Sequence, residues 1–143
     1  MNPDKFDIIF EEKGVSSGAR SKTQFLSDYR SDLRRVILKL MILCLIRLET
    51  EHAHGYGLIR LLQDTGVNVQ AGTVYALLKR MEKDELIVSI SGEYKIYTIT
   101  NYGDHMIDEM MSAYTEYNEF GNKTILKWYA RIKAQRDKKG DEI

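Results

Sequence analysis

The sequence predicts a mainly α-helical fold with one small β-hairpin, an α+β chain that ends in a long C-terminal helix. Three observations predict it. Apolar residues recur at helical spacing over about 31–84, the period then drops to two over 86–91 and 94–100, and steps of four and three return from Ile107 to Ile132. A length of 143 residues, 43% of them hydrophobic and 29% charged, suits one compact domain or a small domain with an oligomerisation appendage, and excludes a disordered or fibrous chain.

Residues 1–27 hold the only proline, Pro3, and a small, polar, basic stretch over 15–22, which predicts a flexible arm. Phe6, Ile8, Ile9 and Phe10 within it are apolar enough to dock on a partner subunit, although a frayed terminus fits equally well. A strong helix is expected from about Ser31, with Ser31 or Asp32 as cap and a stretch apolar on almost every side. Such a helix must be buried all round, most simply by a second subunit. At 13 residues, its most apolar run (36–48) covers roughly 20 Å, too little to span a bilayer core of about 30 Å.

A second helix is expected over 55–64, with Tyr56, Leu58, Ile59 and Leu62 inward and Gly66 as its stop. After a short turn, a third helix over 71–84 puts Val74, Leu77, Leu78 and Met81 on one stripe. Its other side carries Thr73, Ala76, Lys79, Arg80 and Lys83. Gly92-Glu93 fits a two-residue hairpin turn, which places Val88 and Ile90 on one face with Lys95, Tyr97 and Ile99. Thr100 caps the last helix. Its seam runs through Ile107, Met111, Tyr114, Asn118, Gly121, Ile125, Trp128 and Ile132, with a break or kink expected at Gly121-Asn122. The boundaries read from this pattern are an arm at 1–27, a DNA-binding domain at 28–100, a helical dimerisation region at 101–135 and a charged tail at 136–143.

Helix, helix, turn, helix, hairpin, long helix is the plan of a winged helix-turn-helix, in which two helices hold a third free to enter a major groove. Charge supports DNA as the partner. Lys+Arg and Asp+Glu are equal at 21 each, so attraction must be local. Over 15–47 seven bases face two acids, a local +5, whereas 101–122 carries five acids and no base.

Three blocks, in order, resemble the PadR family of bacterial and archaeal transcriptional regulators. His54-Gly55-Tyr56-Gly57-Leu58-Ile59 is similar to the family's H-G-Y opening of the second helix. The segment from Gly72-Thr73-Val74-Tyr75 to Glu82 matches its G-T-x-Y-x-x-L-x-R-x-E recognition helix. Tyr97-Thr98-Ile99-Thr100-Asn101-Tyr102-Gly103 resembles its Y-x-L-T-x-x-G exit from the wing. The resemblance spans about 33–111, and departs in Glu85, where the family has Gly, and in a wing whose tip holds only Lys95. It implies a homodimeric repressor with the C-terminal helix building the dimer, often relieved by a small molecule.

Gln70, Thr73 and Tyr75 are the expected readers: Gln pairs bidentately with adenine, Thr reaches a thymine methyl or a phosphate, and Tyr donates to a phosphate. Ala71, Gly72 and Ala76 allow close approach, while Lys79, Arg80, Lys83, Lys95, Arg34 and Arg35 are the expected phosphate contacts. The expected dimer interface comprises Met41, Ile107, Met110, Met111, Tyr114, Ile125, Trp128 and Ile132. Tyr114, Tyr117, Phe120, Trp128 and Tyr129 could line an effector cavity there, although interface packing is the simpler reading.

No catalytic centre, cofactor or metal is expected. Phosphate loops and nucleophile elbows are absent from the sequence, and the pair His52 and His54 has only His105 and Cys44 to complete a ligand set. His54 is expected to stabilise the start of the second helix, and Cys44 to be a small core residue. A lone cysteine and the lack of an apolar leader suit the cytoplasm. The same element order also fits a winged protein of replication or plasmid partition, or a protein-interaction module.

Overall fold

The computed structural model describes residues 18–49 and 53–141. Helices α1 (Lys22–Leu48), α2 (Gly55–Asp64) and α3 (Ala71–Lys83) precede an antiparallel hairpin of β1 (Ile87–Ile90) and β2 (Ile96–Ile99). The C-terminal helix comes next, as α4 (Asn101–Phe120), a π-helical segment (Gly121–Ile125) and α5 (Leu126–Asp141). The chain divides into two compact units at Lys39/Leu40, a boundary that falls inside α1.

α1 starts nine residues before the expected Ser31 and takes in residues 22–27 of the expected arm. Ser21 explains this: its hydroxyl accepts the Gln24 N–H at 3.1 Å, and Arg20 and Gln24 both donate to Asp28, at 2.7 and 2.8 Å. A polar first turn held by its own side chains needs no apolar periodicity. Phe6, Ile8, Ile9, Phe10 and His52 lie outside the described residues.

The core of the second unit is built from Ile42, Leu43 and Ile46 of α1, Leu58 and Leu62 of α2, Val74, Leu78 and Met81 of α3, and Ile87 of β1, all at most 3% exposed. Cys44 is half-buried beside it, and burial pushes its thiol pKa up. The α3 stripe is as expected, with Leu77 half-buried at its edge. On α2 the expectation fails for Tyr56, which is 64% exposed; the inner face there is supplied by Gly55 and Gly57 together with Leu58, Ile59 and Leu62. Gly66, at φ +90°, ends α2 as expected, since the left-handed region is open to glycine.

The hairpin register corrects the sequence reading. Ile87 pairs with Ile99, Val88 with Thr98, Ser89 with Tyr97 and Ile90 with Ile96, leaving residues 91–95 as a five-residue loop instead of a two-residue turn. A shift of one residue exchanges the faces of a strand. Ile87 and Ser89 therefore share a face with Tyr97 and Ile99, while Val88 and Ile90, expected beside Tyr97, point to the opposite side and are 48% and 62% exposed.

The C-terminal helix does not break at Gly121. Gly121 keeps helical angles, and the Leu126 N–H bonds to the Gly121 carbonyl five residues back, a π turn. One extra residue in a turn rotates the remainder of the helix by about 100°. Ile125, Trp128 and Ile132 thus leave the stripe of Ile107, Met111 and Tyr114, and Leu126 and Tyr129 stand closer to it.

Candidate nucleic-acid interface

The exposed side of α3 joins α2 and the hairpin around one cleft. His54 caps α2 as expected, its Nδ1 accepting the Gly57 N–H at 3.1 Å. The same segment grips the wing: the Tyr97 N–H donates to the Ala53 carbonyl at 2.8 Å, and His54 pairs with Ile96 as an isolated bridge. His54 also stacks on Tyr94, with ring centroids 5.7 Å apart.

α3 leaves toward the wing through a left-handed residue. Leu86 N–H reaches the Met81 carbonyl and Glu85 N–H that of Glu82, a Schellman closure with Glu85 at φ +63° where glycine is preferred. Thr100 then secures the base of the hairpin. It accepts the Gly103 N–H at 2.9 Å, as expected of the cap, and donates to the Glu85 and Leu86 carbonyls at 2.8 and 3.0 Å.

The resulting cleft, of about 540 Å³, is lined by Tyr75, Lys79 and Glu82 of α3, His54, Gly55 and Tyr56 at the start of α2, and Tyr94, Lys95 and Tyr97 of the wing. Residues 75, 79 and 82 are one, two and three steps along a single helix face. Tyr97 is buried, and loss of solvent raises its phenol pKa. Glu82 binds both parts of the wing: the Ser89 hydroxyl donates to Oε1, and Lys95 Nζ lies 3.6 Å from Oε2. That hydroxyl, with help from Lys95, holds the Glu82 carboxyl below its ordinary value.

Of the expected DNA contacts, Gln70, Ala71, Gly72, Thr73, Tyr75, Ala76, Lys79, Arg80 and Lys83 are all exposed on or beside α3, and Lys95 faces them from the wing. Arg80 is engaged with Asp84 at 3.4 Å and Lys95 with Glu82. Arg34 and Arg35 belong to the first unit, where Arg35 lies 3.7 Å from Asp32. Sequence reasoning missed His54, Tyr56, Glu82, Tyr94 and Tyr97 as members of the cleft. Glu82 was legible, being in helical phase with Tyr75 and Lys79; His54 and Tyr56 depend on how the start of α2 lies beside α3, and Tyr94 and Tyr97 on the hairpin.

Of the expected dimer residues, Met41, Ile107 and Met110 are half-buried in the chain, whereas Met111, Tyr114, Ile125, Trp128 and Ile132 are 40–61% exposed. No helix among the described residues is long and apolar enough to cross a membrane, and no group of three metal-ligating side chains occurs among them.

A helix pair carrying an exposed third helix beside a two-stranded wing defines a winged helix-turn-helix protein. The chain is similar to the PadR-like family of transcriptional regulators, whose family model matches residues 42–109. It is similar to a PadR family transcriptional regulator from Eggerthella lenta, with 28% identity and a TM-score of 0.62 over 72% of this chain and 94% of that one. A transcriptional regulator from Clostridium thermocellum is 27% identical, with a TM-score of 0.58 over 66% and 96% of the two chains. A PadR family regulator from Clostridium difficile is 27% identical, with a TM-score of 0.51 over 60% and 97%. No curated protein matches the chain.

Proposed function

We propose that the protein is a homodimeric repressor that reads a palindromic operator with α3 and lays its wing on the flanking backbone. One observation carries this reading: α3 is held from behind by buried Val74, Leu78 and Met81, while Gln70, Thr73 and Tyr75 are exposed at its N-terminal end. That is the presentation a major groove about 12 Å wide requires. Gln70, Thr73 and Tyr75 supply base and phosphate hydrogen bonds, and Ala71, Gly72 and Ala76 keep the helix surface low. Lys79, Arg80, Lys83 and Lys95 are phosphate contacts of the second unit, and Arg34 and Arg35 are phosphate contacts of the first. The DNA-binding part is residues 28–100 and the dimerising part 101–135.

Dimerisation is supported by the long helix, where Met111, Tyr114, Tyr117, Phe120, Ile125 and Trp128 all exceed a third exposure. Large apolar side chains exposed on that scale mark an interface. A two-fold pair presents two copies of α3 about one helical turn, roughly 34 Å, apart, hence a palindromic site. An effector would enter among the aromatics of the same interface.

Genome-wide mapping of bound DNA, with sedimentation of the purified chain, tests the whole reading. Two-fold symmetric sites upstream of genes and a species of twice 16.6 kDa are expected. A monomer at micromolar concentration, or sites without symmetry, overturns it.

A further inference from the structure

The wing lysine already has an ionic partner within the protein. Lys95 Nζ lies 3.6 Å from Glu82 Oε2 and 5.8 Å from the centre of the Tyr97 ring, at the rim of the cleft that Lys79 also lines. Glu82 itself cannot swing aside cheaply, because its other oxygen accepts the Ser89 hydroxyl from β1 and its side chain is two-thirds covered. The cleft thus offers an incoming phosphate the ammonium groups of Lys79 and Lys95, the latter beside a carboxylate held in place by Ser89.

We propose, on the reading that this face binds DNA, that Glu82 is the counter-charge of the interface: it holds Lys95 in the free protein, and a backbone phosphate must take Lys95 away from it. The exchange replaces one ion pair by another. Lys95 therefore contributes little net affinity, although by sequence it is the wing's phosphate contact. Glu82 sets how strongly any duplex is held, whatever its sequence, and leaves discrimination to the base contacts of α3. In a chain of zero net charge this keeps binding to bulk DNA low.

The test is fluorescence anisotropy with a labelled mixed-sequence duplex of about three helical turns, titrated at several salt concentrations with wild type, E82Q, K95A and the double variant. Glutamine keeps an oxygen for Ser89 and removes only the charge. E82Q is expected to bind roughly three- to tenfold tighter, with a salt slope steeper by about one. K95A is expected to change wild-type affinity less than about twofold and to abolish the gain in the E82Q background. An E82Q protein that binds no tighter, or whose gain survives K95A, overturns the counter-charge. If E82Q does not fold, K95A alone decides, and a loss beyond about tenfold overturns the proposal. A wild-type protein that binds no duplex at all overturns the DNA-binding reading as well, which separates the two failures.

Discussion

The ring of Tyr75 rests on Gly55 so closely that a Cβ on residue 55 would stand 2.3 Å from its Cε1. The start of α2 thereby fixes a side chain on the exposed face of α3. The ring is half-exposed at the far end of a rotatable side chain, so it can yield where backbone cannot. Gly55→Ala should displace Tyr75 and weaken operator binding, while stability holds or rises by up to about 1 kcal/mol from helix propensity. Parallel thermal melts and binding titrations check this; unfolding together with loss of binding would contradict it.

Gly103 gives the opposite expectation from the same kind of contact. A Cβ there would meet the Leu86 carbonyl oxygen at 2.0 Å, and that oxygen already accepts from Thr100. Backbone must move, so Gly103→Ala should cost about 1–3 kcal/mol. Denaturant unfolding should show an earlier midpoint with an unchanged slope.

Glu85 lies in the left-handed region, at a cost of about 1–2 kcal/mol for a residue with a side chain. Glycine recovers that and gives back part through the flexibility of the unfolded chain. Glu85→Gly should raise stability by roughly 0.5–1 kcal/mol and the melting temperature by a few degrees. A fall in melting temperature would show that the Glu85 side chain contributes something beyond its conformation.

Readers and phosphate contacts should fail differently. Gln70→Ala is expected to lower affinity for the operator more than for mixed DNA, by about 1–3 kcal/mol for a bidentate base contact. Lys79→Ala should weaken both equally and reduce the salt slope by about one. Competition titrations against mixed-sequence DNA distinguish the two patterns.

Acid should loosen the wing. The Ser89 hydrogen bond, and secondarily Lys95, hold the Glu82 carboxyl below its ordinary value of 4.5. A group depressed on folding stabilises fully above its unfolded value, and that contribution is lost as pH falls through the folded one. The charged and titratable neighbours in the cleft are Lys79, Lys95, His54, Tyr56, Tyr75, Tyr94 and Tyr97. Wild type minus E82Q in acid unfolding should give a difference constant above about pH 4.5 that shrinks below it.

The sequence by itself determined the elements, because local periodicity and caps act over a few residues. The α3 stripe of Val74, Leu78 and Met81, the His54 and Thr100 caps and the Gly66 stop are all legible without coordinates. The three motif blocks likewise carry the resemblance to the PadR-like family, whose model matches residues 42–109. Only the tertiary structure decided what depends on register and on long-range partners. Gly92-Glu93 has the chemistry of a tight turn, yet the pairing of Ile87 with Ile99 imposes a five-residue loop, because this register buries Ile87 and Tyr97 and leaves Val88 and Ile90 in solvent. The π turn after Gly121 depends on backbone hydrogen bonds that no residue type there dictates. Glu82 has no local reason to bind Ser89 and Lys95; folding the hairpin back onto the last turn of α3 makes them neighbours.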